Sequence, residues 1–147
     1  MNQEQLADRI KEAVNGAAYT GSLTAYAVQS IELSRSNYPV QNLIIFCQDM
    51  NLKFVMTDLA TEDRFYPDSV LGVHKVLDLL MRRYQVDPKL VYRKTGIHYT
   101  PPKSFIPEDL ERMKEEAEGR KYVIPLSIKT LLAVCEVIHC DLTFDPK

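Results

Sequence analysis

A chain of 147 residues has room for one ordinary core or two very small ones. Hydrophobic residues make up 46% and charged residues 26%, the proportions of an ordinary globular protein. No apolar run reaches the roughly 18 residues of a membrane-spanning helix, and a net charge of −2 leaves any nucleic-acid contact to a local basic face.

The first residues, Met-Asn-Gln-Glu-Gln-Leu-Ala-Asp, lack the basic-then-apolar layout of a signal peptide, so a cytoplasmic protein is expected. Cys47, Cys135 and Cys140 cannot complete a set of pairs and sit in apolar-rich segments, as small core residues do in a reducing compartment. Residues 2–15 place Leu6, Ile10, Ala13 and Val14 at helical spacing, with Asn15-Gly16 as a stop. A second helix starts near Ser22 or Thr24, either of which suits a cap. After the polar break at 34–38, Pro39 opens a helix running to about Met50. Leu52 to Thr57 follow as a short strand, and the polar stretch 59–69 is expected to link two halves.

The second half opens with a helix from about Val70 to Arg83, whose stripe of Val73, Val76, Leu77, Leu80 and Met81 is expected to be buried. His74, on the same helix, is placed at its surface or boundary. Asp87-Pro88 supplies a cap and a first-turn proline for a helix ending at Thr95-Gly96. Pro101, Pro102 and Pro107 break regular structure, and Pro107 starts an acidic helix that Gly119 ends. A last helix and a strand at 140–144 close the chain.

Two stretches repeat. Setting Cys47 on Cys135 brings Leu43 onto Leu131, Ile44 onto Leu132, Met50 onto Ile138, Leu52 onto Cys140 and Phe54 onto Leu142. Each copy begins at a proline, runs as an amphipathic helix and ends in an apolar β-prone tail. The repeat predicts two halves packed about an approximate twofold axis. Their tails would pair as an antiparallel ribbon, because each otherwise leaves bare strand edges.

Each half resembles the helix-turn-helix domain of the Cro/C1 repressor family, also called the XRE family. Leu23-Thr24-Ala25-Tyr26-Ala27-Val28 resembles that domain's second helix, as does Lys89-Leu90-Val91-Tyr92-Arg93-Lys94-Thr95 with its turn glycine Gly96. Pro39-Val40-Gln41-Asn42-Leu43 and Pro125-Leu126-Ser127-Ile128-Lys129-Thr130-Leu131 resemble the opening of its closing helix. The resemblance implies a mostly α fold of two lambda-repressor-like halves, each ending in a short β segment. The degenerate half is 1–58, and 70–147 is the half with an insertion at about 100–120. The span from Tyr26 to Cys47 is far shorter than that from Tyr92 to Cys135, so the second half is the expected reader. Its function would be sequence-specific DNA binding by a bacterial or phage-type transcriptional regulator, with a homodimer needed for a palindromic site.

The residues expected at that interface are Arg93, Lys94, His98, Tyr99, Lys103 and Ser104 after the turn, with Arg120 and Lys121 before the closing helix. Cations hold phosphates, and hydroxyls and aromatics reach base edges. The alternative is a protein-interaction and dimerisation module on the same scaffold that has lost DNA, in keeping with the acids Glu108, Asp109, Glu111, Glu115, Glu116 and Glu118. Cys135 and His139 lie one helical turn apart but lack a fourth ligand and a close cysteine pair, so no metal and no cofactor is expected. With no phosphate loop, nucleophile elbow or triad, the chain is not read as an enzyme.

Overall fold

The computed structural model describes residues 1–14, 25–32, 38–102 and 126–147. Six helices and three strands lie among them. These are α1 (Gln3–Val14), α2 (Ala25–Glu32), α3 (Val40–Asp49), β1 (Leu52–Asp58), β2 (Arg64–Phe65), α4 (Val70–Arg83), α5 (Pro88–Thr95), α6 (Ile128–Ile138) and β3 (Cys140–Pro146). The fold is thus mainly helical with one small antiparallel sheet. No helix among the described residues is long and apolar enough to cross a membrane.

The strands run in the order β2-β1-β3. β1 and β3 pair antiparallel over their whole lengths, from Leu52 opposite Pro146 to Asp58 opposite Cys140. The two apolar tails therefore form the ribbon expected of them. Val55 faces Thr143 at its centre, and these two residues correspond when Cys47 is set on Cys135. The same correspondence holds where the two closing helices begin. Pro39 bridges its counterpart Ser127. The Val40 N–H donates to Leu126 O at 2.9 Å, and the Ile128 N–H donates to Tyr38 O at 2.8 Å. Each of these bonds is the symmetry mate of the other.

Both closing helices also end alike. Asn51 and His139 correspond, and each takes a left-handed backbone, at φ 56 and 54, which turns the chain from helix into strand. The helix starts differ. Ser127 caps α6 by accepting from the Thr130 N–H, whereas Pro39 at the head of α3 makes no side-chain cap.

The core fills the space between the ribbon and the helices. α1 packs on α2, β3 and α6; α3 packs on β1; α4 packs on α6 and α3; and α5 packs on α6. Leu6, Ile10, Leu43, Phe46, Met56, Leu77, Leu80, Leu131 and Ile138 are fully enclosed. The predicted stripe of α4 is buried in full. Cys47, Cys135 and Cys140 are free thiols in the core. Residues 59–69 do more than link, because they hold the hairpin turn and β2, which pairs with β1 at Met56 and Thr57.

Candidate nucleic-acid interface

α5 is a short helix fixed at both ends. The Asp87 side chain accepts from the Leu90 N–H at 2.8 Å, and Pro88 occupies the first turn, where no N–H is needed. At the other end Gly96 takes φ 73, a left-handed conformation that glycine adopts without cost, and donates its N–H to Tyr92 O at 2.7 Å. Only Val91 of this helix is buried. Lys89, Tyr92, Arg93 and Lys94 face outward.

That outward face is cationic and aromatic. Lys89 and Arg93 stand one turn apart and share a side of the helix. No acidic residue occurs from Pro88 to Pro102. Lys89, Arg93 and Lys94 have no ion pair among the described residues, whereas the arginines ending α4 are engaged: Arg82 with Asp78 at 3.0 Å, and Arg83 with Asp58 and Asp63. Tyr92 is 46% exposed, and its ring lies against His98, with centroids 4.0 Å apart and planes 15° apart. An exposed stacked pair beside unpaired cations offers charge to phosphate and a flat apolar surface to a base or sugar.

Of the expected interface residues, Arg93, Lys94 and His98 are exposed and adjacent. Tyr99 is a correction. It is 5% exposed and lies in the core, its hydroxyl joined to His74 Nδ1 by a hydrogen bond of 2.7 Å. His74 is likewise fully buried rather than at a boundary. Burial, with the charge of Asp78 adding to it, raises the Tyr99 hydroxyl well above its ordinary value, so the phenol stays neutral. This pair pins the stretch after Gly96 onto α4. Lys103, Ser104, Arg120 and Lys121, with the expected insertion and acidic helix, lie outside the described residues.

A second constellation ties the end of α4 to β1. Asp58 ends β1 and is fully enclosed, yet ionised. Burial alone would raise its carboxyl, but hydrogen bonds from Tyr84, Arg83 and the Ala60 N–H outweigh this and hold it at about 2. Arg83 Nη1 donates to Asp58 at 2.7 Å and to Asp63 at 3.0 Å, while the Tyr84 hydroxyl donates to Asp58. The end of α4, at the turn into α5, is thereby tied to the end of β1. In sequence Asp58 read as the edge of a loop, and its partners lie too far along the chain to signal the cluster. Lys89 and Tyr92 were legible only as parts of a helix.

Among the described residues no group of three potential metal ligands comes together. Comparison with family models, with curated proteins and with solved structures found no match.

Proposed function

We propose that this chain is a DNA-binding transcriptional regulator that meets the duplex through the outward face of α5 and the stretch that follows Gly96. The supporting observation is the exposed cations Lys89, Arg93 and Lys94 beside the Tyr92–His98 stack, in a stretch without acids from Pro88 to Pro102, on a chain whose net charge is negative. The cations anchor phosphates, and the stacked pair sits where a sugar or an unstacked base would pass. On this reading α4 and α5 are the first two helices of a helix-turn-helix-like half. α1 and α2 are the corresponding helices of a degenerate one. One chain then brings one reading head, and two chains serve a palindromic site.

The test is fluorescence anisotropy on random-sequence duplex DNA across a salt series. Three phosphate-neutralising cations predict a slope of log K on log salt of about −2.7. Lys94→Glu removes one cation and adds a repulsion, so it flattens the slope by about 1 and weakens low-salt binding at least tenfold. A folded sample that binds no DNA at low salt abandons this reading for the protein-interaction one.

A further inference from the structure

Between α3, β1 and the segment leading from β2 into α4 lies a cavity of about 210 Å³. Cys47, Leu52, Phe54 and Tyr66 form apolar walls, and Lys53, Lys147 and Asp68 reach its rim. The volume suits a single ring or a short chain rather than a nucleotide. Cys47 offers no nucleophile, since burial pushes its thiol up to about 12 against an opposing pull from Lys147. That pull also places the Lys147 charge within electrostatic reach of the cavity wall.

Lys53 lacks the partner its register suggests. It stands opposite Asp145 on β3, but Asp145 pairs with Arg64 instead. The Lys53 ammonium rests over the Tyr66 ring, 5.5 Å from its centroid. Neither Lys53 nor Lys147 has an ion pair among the described residues, and the exposed Asp68 is the one carboxylate lining the rim. An apolar cavity thus lies beside two exposed ammonium groups that have no ion pair among the described residues.

We propose that this cavity binds a small apolar carboxylate, aromatic or short-chain aliphatic. Its hydrocarbon part would lie on Leu52, Phe54 and Tyr66, and its carboxylate between Lys53 and Lys147. The site stands whether or not α5 meets DNA.

The experiment titrates the full chain with benzoate and with hexanoate, using benzyl alcohol as the uncharged match, and follows the Tyr66 and Phe54 ring resonances by NMR. A ligand of this size is expected to saturate with a Kd of about 0.1–1 mM for at least one acid, with the alcohol at least tenfold weaker. Lys53 is exposed, so Lys53→Met keeps the fold, as circular dichroism would verify. It weakens carboxylate binding about tenfold and leaves the alcohol unchanged, and Lys53→Arg restores the acid. The proposal is overturned if neither acid shifts those rings saturably up to about 20 mM, or if acid and alcohol bind alike.

Discussion

α2 and α5 are both eight-residue helices, and they present opposite surfaces. α2 buries Val28, Ser30 and Ile31, carries no cation, and has its last residue, Glu32, paired with Lys11 of α1 at 2.6 Å. α5 buries only Val91 and turns its cations and an aromatic ring outward. The closing helices and strands behind them stayed alike, down to matching hydrogen bonds at Pro39 and Ser127 and matching left-handed residues at Asn51 and His139. The paired helices and strands match in their backbone, while α2 packs inward and α5 leaves most of its side chains exposed.

The equivalence of the scaffold is tested most strongly in its core. Leu43 and Leu131 correspond, and both are fully enclosed. Leu43→Ala and Leu131→Ala should each cost about 3 kcal/mol in chemical denaturation. Costs differing by more than a factor of two would break the symmetry of packing.

The next effect belongs to one half alone. Asp58 has Pro146 as its counterpart, which carries no carboxylate. Asp58→Ala should cost about 2–3 kcal/mol, since it removes the acceptor of the Tyr84 hydroxyl and leaves Arg83 with Asp63. Its folded carboxyl lies at about 2, below the ordinary 3.8. The stability it adds is present above about pH 4 and lost as pH falls toward 2, because the unfolded chain takes up the proton first. Thermal melts from pH 5 to pH 2 should fall steeply for the natural chain and less so for the variant. Parallel curves would remove Asp58 from the account.

The smallest effect sharpens the comparison of helix ends. Asparagine tolerates the left-handed region better than histidine does. His139→Gly should stabilise by about 0.5–1 kcal/mol and Asn51→Gly by less, read from denaturation midpoints. A larger gain at Asn51 would show that the two turns are not strained alike.

Much of the fold was legible because its signals are local. Asp87-Pro88 and Gly96 mark both ends of α5, and the apolar spacing of α4 gives its buried face residue by residue. The ribbon was legible because the repeat supplied a partner for each tail. His74 and Tyr99 were misplaced because a polar residue on a helix, or just after a turn, reads as exposed until its partner, far along the chain, is known. The same holds for Asp58, whose ligands are Arg83 and Tyr84, and for the cavity under Lys53, whose walls come from three separate segments. At the candidate interface, charge and exposure of Arg93 and Lys94 followed from composition, but the stack of Tyr92 on His98 depends on the backbone turn at Gly96.

The ribbon also dictates an order of events during synthesis. β1 leaves the ribosome with its long edge bare, since the strand that covers it, β3, follows the whole of α4, α5 and α6. At about 5–20 residues per second, Phe54, Val55 and Met56 wait several seconds for their neighbours, with only the two residues of β2 arriving sooner. A nascent chain with an exposed apolar strand is a substrate for holding chaperones and a seed for aggregation. The antiparallel pairing therefore makes the long edge of β1 dependent on β3.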